Sequence, residues 1–141
     1  MQLQAWFAWG ALVGTTAVIG AWAWARLRPS PAARALRAWG DAQGVHRRGD
    51  GVDQPLELVG RRRDRLFTVA LQRGPPEVLL LAIDCDAGGD GPLSEGRHLS
   101  DGALATRVTA PPVALCADPG PWLDALADAA EALEADTPSV R

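Results

Sequence analysis

Lysine is absent from this chain: all 14 basic side chains are arginine. That removes a Schiff-base nucleophile, the lysine of a phosphate-binding P-loop and a lysine general base from the available chemistry. Cysteine is scarce, with only Cys85 and Cys116, and no CxxC is formed. A disulfide between them suits an oxidising compartment and not a reducing cytoplasm. Catalytic signatures are missing too, with no GxSxG elbow and no strand–turn–helix context for any serine. The last absence is of charge: from Leu3 to Ala25 there is no charged residue, and Gln4 is the one strongly polar side chain.

That uncharged run is what the rest of the chain is read against. As an α-helix it would reach roughly 35 Å, beyond a hydrocarbon core of ~30 Å. Trp6 and Trp9 stand near one end, Trp22 and Trp24 near the other, as interfacial indole belts would. Arg26, Arg28, Arg34 and Arg37 follow it and no charged side chain precedes it. The expectation is a single transmembrane helix over 3–25 in a bacterial inner (plasma) membrane, N-terminus outside, with everything after Arg26 cytoplasmic. A cleaved signal peptide fits less well, because the run has no basic leader, is too long and is followed directly by arginine. Gly10 and Gly14 form a GxxxG pair that Ala17 and Ala21 continue, a stripe on which two such helices would dimerise.

The remaining ~115 residues suffice for one small domain. Residues 26–30 read as a basic juxtamembrane linker, 31–135 as the domain and 136–141 as a frayed tail. Ser30 is a good N-cap with Pro31 at the first helical position, and Gly44 closes the helix. Ala32, Ala35, Leu36 and Trp39 recur at helical spacing. That helix would pack on the domain or lie along the membrane with Trp39 inserted. Strands are expected over 56–59, 66–71, 78–83 and 104–109, with Val113–Cys116 as one more. Arg61-Arg62-Arg63-Asp64-Arg65 would form a hairpin tip, and 84–100 a loop. A last helix opens at Gly120-Pro121, with Trp122, Leu126, Ala129 and Leu133 on its apolar face and Leu123 and Ala130 widening it. The fold class expected is α+β: helix, antiparallel meander of about four to six strands, C-terminal helix. A PH-like barrel capped by the last helix is the alternative.

Charge is unevenly divided. From Arg26 to Arg73 there are 11 Arg against 5 acids (+6), and from Gly74 to Arg141 there are 3 Arg against 12 acids (−9). Two readings apply: a basic face toward an anionic leaflet, including contact through Arg26, Arg28, Arg34 and Arg37, or two independently solvated halves. The arginine run lacks the interleaved aromatics of a nucleic-acid surface, so no nucleic acid is expected.

Asp84 to Glu95 is the best candidate for chemistry, with Asp at positions 1, 3 and 7, Gly at 6 and Glu at 12 of a calcium-type loop. Gly88 supplies no ligand at position 5, and no helix precedes the loop. Asp84 and Asp86 also form a DxD pair of the kind that holds Mg²⁺ in hydrolases, though without the lysine or larger parallel sheet such enzymes use. His98, Ser100 and Asp101 supply triad residue types without a triad context. Cys85, His98 and Cys116 with His46 have zinc-ligand chemistry without zinc spacing.

The sequence therefore assigns no catalytic, cofactor-binding or metal residue and points away from an enzyme. The function expected is a membrane-anchored, non-catalytic interaction module with a protein partner. The alternatives are a metal-dependent hydrolase on Asp84 and Asp86, or an anchored periplasmic domain with a Cys85–Cys116 disulfide.

Overall fold

A computed structural model describes residues 2–49 and 54–136, and for the first helix it describes side chains from 11 to 24. Residues 50–53, within the stretch expected as loop or edge strand, and 137–141 of the expected tail lie outside the described residues.

Helix α1 (Gln2–Leu27) is continuous. Among the described residues, however, no helix is long and apolar enough to cross a membrane. The transmembrane reading of 3–25 is overturned, and with it the single-pass inner-membrane placement, the N-out orientation and a domain assigned to the cytoplasm by its anchor. Composition gives the reason. Of the 23 residues from Leu3 to Ala25 only five are Leu, Val or Ile, whereas sixteen are Ala, Gly, Thr or Trp. Absence of charge is not hydrocarbon content: Ala and Gly carry little apolar area, Thr a hydroxyl and Trp an N–H.

Helix α2 (Pro31–Gln43) follows the capping chemistry written in its sequence. The Ser30 side chain accepts from the Ala33 amide at 3.1 Å, Pro31 opens the first turn, and Gly44 closes the helix at φ 68°. Ser30 also donates to Glu77 Oε2 at 2.7 Å, tying the helix start to the residue that leads into β4, the central strand. Trp39 is buried, its ring 6.1 Å from that of Phe67, so this helix packs on the domain and not on a membrane surface.

The sheet is antiparallel and has seven strands in place of the four to six expected. They are β1 (His46–Arg48), β2 (Leu56–Arg62), β3 (Arg65–Gln72), β4 (Val78–Asp84), β5 (Gly91–Pro92), β6 (Arg97–Ser100) and β7 (Ala103–Thr109), in the order β1-β2-β3-β4-β7-β6-β5. The chain runs as a meander to β4, crosses to the far edge as β5, and returns inward so that β7 pairs with β4. β1 and β5 are the two ends of an open sheet, so the barrel alternative is not formed. Helices α3 (Val113–Ala117) and α4 (Gly120–Asp136) complete the chain. Val113–Cys116 is thus helix and not strand; Pro112 precedes its first turn, and Leu115 and Cys116 pack into the core.

Register divides the sheet into two chemically different faces. Leu56, Leu71 and Leu79 lie in one cross-strand row; Leu58, Val69 and Leu81 in the next; Gly60, Phe67, Ile83, Leu104 and Leu99 in a third. Apart from Gly60 these are all buried, and they share one core with Leu36 and Trp39 of α2, Leu115 of α3, and Leu123, Leu126 and Ala130 of α4. Gly60 has no side chain because a Cβ there would stand 2.8 Å from Val45 and 2.9 Å from the Phe67 ring. Gly40 does the same service in α2, where a Cβ would meet both Leu58 methyls at 2.9 Å.

Candidate interaction surfaces

The arginine run is neither a solvated tip nor an open anion site. Arg63 and Asp64, both at positive φ, make the two-residue turn between β2 and β3. The strand ends then hold three guanidinium groups over α4. Arg62 grips Asp124 with two hydrogen bonds, Nε to Oδ1 at 2.7 Å and Nη2 to Oδ2 at 3.1 Å. Arg63 reaches Asp128 at 2.7 Å and Glu131 at 3.0 Å. Arg65 pairs with both oxygens of Glu134 at 2.6 Å and also donates to the Asp84 carbonyl at 2.8 Å. Hydrogen bonds from Arg65 and from the Asp86 amide hold the Glu134 carboxyl down at about 2, and the Arg62 bond holds Asp124 below its ordinary range. Parallel two-bond Arg–carboxylate pairs are the strong form of this contact. Three arginines of the basic half are therefore paired with four carboxylates of the acidic half.

On α4 the expected Leu123, Leu126 and Ala130 are buried together with Ala127, and Ala129 and Leu133 are half-buried, whereas Trp122, expected on the same face, is 44 % exposed. Acids at 124, 128, 131 and 134 form a stripe flanking the buried one, which was the available signal. Trp122 is left beside an open cleft of about 420 Å³, lined by Pro121, Ala125, Leu126, Thr106 and the Glu95–Arg97 ion pair.

The Asp84–Glu95 loop has other occupations. β5 begins inside it at Gly91, Asp90 accepts from the Asp101 amide, Asp86 gives its amide to Glu134, and Glu95 pairs with Arg97 at 2.9 Å. Among the described residues no three of His, Cys, Asp and Glu come together as a metal ion would require. His46, Cys85, His98 and Cys116 are accordingly not one site. Both cysteines are free and buried, so the Cys85–Cys116 disulfide is not formed. Burial, with Glu77 adding to it, pushes the Cys116 thiol up, away from a nucleophilic thiolate. His98 and Ser100 lie on the sheet face opposite the helices, and Asp101 falls in the β6–β7 turn at φ 50°.

Two surfaces remain uncovered. The first is α1, whose described side chains are exposed around the whole helix except at Ala23. Leu12, Val13, Val18, Ile19, Trp22 and Trp24 are 59–69 % exposed. Thr15 and Thr16 turn their hydroxyls back onto the Ala11 and Leu12 carbonyls at 2.8 Å, so these two hydroxyls are satisfied within the helix. At its end Arg28 stacks over Trp24 with 5.5 Å to the ring centre. Gly14 has open space where a Cβ would be; the Gly10 side-chain environment lies outside the described residues.

The second is the far face of the sheet. Val59, Thr68, Ala82, Ala105 and His98 form one row across it, and Glu57, Ala70, Leu80 and Arg107 the next. These side chains are small or medium and mostly half-buried, as on a bare sheet. The helices α2, α3 and α4 all bury their apolar residues on the other side.

Compared with known proteins, the chain matches no family model, no curated protein and no solved structure. Function must be argued from the surfaces alone.

Proposed function

We propose that this protein is a non-catalytic interaction module that engages a protein partner through α1. The observation that carries the reading is the uncharged 11–24 stretch of α1, in which Leu12, Val13, Val18, Ile19 and Trp24 are 59–69 % exposed. An exposed apolar surface of this extent marks a docking element. A helix of this kind is recognised by laying one face into an apolar groove or against another helix. Gly14, Ala17 and Ala21 form the side where a partner backbone can come closest.

The test uses the full chain in its own cells, with a photo-crosslinking residue at Val18 and a control at Asp128 on the arginine clamp. A discrete protein adduct from position 18, absent from position 128 and reduced several-fold by Gly14→Leu, is expected. No adduct from any α1 position removes the reading.

A further inference from the structure

We propose that the bare sheet face is a self-association surface, on which a second copy of this chain packs about a two-fold axis running along the strands between β3 and β4. The argument is one of symmetry and charge. A face-to-face homodimer is isologous, so its axis lies in the interface and each residue meets the position that mirrors it. An axis between β3 and β4 exchanges β3 with β4, β2 with β7, and β1 with β6, following the observed strand order.

The row Glu57–Ala70–Leu80–Arg107 is then superposed on its own reverse. Glu57 of each copy faces Arg107 of the other, and Ala70 faces Leu80, a small residue against a larger one. The neighbouring row sets Val59 against Ala105 and Thr68 against Ala82. One row further, Leu66, which is 44 % exposed, meets the Asp84 position, with Arg61 one strand away to reach that carboxylate. His46 and His98 fall opposite each other at the margins, and Arg48 sits outside Glu57 on β1. Across the axis Glu57 and Arg107 are opposite in sign, Arg48 and Arg61 lie on the Glu57 side and Asp84 at the end of β4, around a centre of Ala, Thr, Val and Leu. That is the layout of an interface core with a polar rim.

The dimensions also fit. β2, β3, β4 and β7, each of seven or eight residues, with the shorter β1 and β6 outside them, make a patch at most roughly 24 by 23 Å, and pleat raises its accessible area toward the ~800 Å² per partner of a standard interface. Small side chains let two sheets approach to the usual ~10 Å with their strands within about 30° of each other, helices outermost.

Sedimentation of the full chain at high micromolar concentration tests this. The expected result is a dimer that Ala82→Arg weakens at least about tenfold. Glu57→Arg alone and Arg107→Glu alone should each weaken it, because each sets like charges in opposition, whereas the Glu57→Arg/Arg107→Glu double variant should regain most of the association. Circular dichroism of each variant confirms that the sheet is intact, and the exposed rim pair supplies the evidence should Ala82→Arg misfold. A Leu12→Arg/Val18→Arg variant of α1 should leave this dimer unchanged, which separates it from the role proposed for α1. A monomeric wild-type protein, a dimer lost with the α1 variant, or charge reversals without mutual rescue would each overturn the proposal.

Discussion

The two faces of the sheet are built from the same strands and differ in almost every other respect. On one, Leu58, Val69 and Leu81 are at most 1 % exposed under three helices; on the other, Val59, Thr68 and Ala82 alternate with them and stay half-buried. Period-two alternation places an all-apolar set of Leu, Val, Ile and Phe inward and a mixed set that includes Ala, Thr and charged side chains outward, and α2 and α4 cover the apolar set. The covered face supplies the folding energy. The bare face contributes little to the monomer, and its small, edge-charged composition is suited to a flat contact made after folding.

The strongest way to break this comparison is to empty the covered face. Leu81→Ala, at the centre of the sheet and 0 % exposed, should cost about 2–5 kcal/mol in urea or thermal unfolding. Ala82→Ser, one residue on but facing outward, should change monomer stability by less than about 0.5 kcal/mol. Equal costs would mean that the bare face is packed against something within the monomer. Gly60→Ala probes the covered face from the opposite direction, by overfilling it. Its Cβ would press on Val45 and Phe67, so a loss of about 1–3 kcal/mol is expected.

The arginine clamp is the next effect in size, because it decides which side of α4 meets the sheet. Glu134→Gln removes the ionised partner of Arg65 and should cost about 1–2 kcal/mol at neutral pH, the pair being partly open to water. The Glu134 carboxyl is lowered from its ordinary 4.5 to about 2 on folding. Its contribution is therefore complete above pH 4.5 and is lost as the pH falls through that window toward 2. Wild-type stability should drop more steeply than that of Glu134→Gln between pH 5 and 2. Asp124, also lowered by its arginine, leaves a residual slope in the variant.

Much of the covered face was legible in the sequence. Leu56–Leu58, Phe67–Leu71 and Leu79–Ile83 alternate or run apolar between turn residues, and Ser30, Pro31 and Gly44 delimit α2 by local chemistry alone. What escaped depends on contacts distant in sequence. β5 and β6 are short segments in a polar Gly- and Pro-containing stretch; β6 becomes a strand because β7 is there to pair with it, and β5 because β6 is. Val113–Cys116 is an apolar run too short for its period to distinguish helix from strand. The clamp needed the run at 61–65 to be matched with an acidic stripe some sixty residues later. α1 departs for a different reason: freedom from charge is not membrane-grade hydrophobicity where Ala, Gly, Thr and Trp dominate the run.

The smallest effect expected concerns the seam between α2 and the sheet. Ser30 serves two partners, accepting from the Ala33 amide and donating to Glu77 at the start of β4. Loss of an N-cap alone costs ~1 kcal/mol. Ser30→Ala also strips Glu77 of a hydrogen bond at a half-open site where water can replace it, so the total should stay near that figure. Ser30→Asp keeps the cap but sets a second carboxylate against Glu77. If capping dominates, Asp should restore most of the stability lost in Ala; if the tie to Glu77 dominates, Asp should be the worse of the two. Thermal unfolding of the two variants at neutral pH separates a helix held by its own first turn from one held by the covered face it lies on.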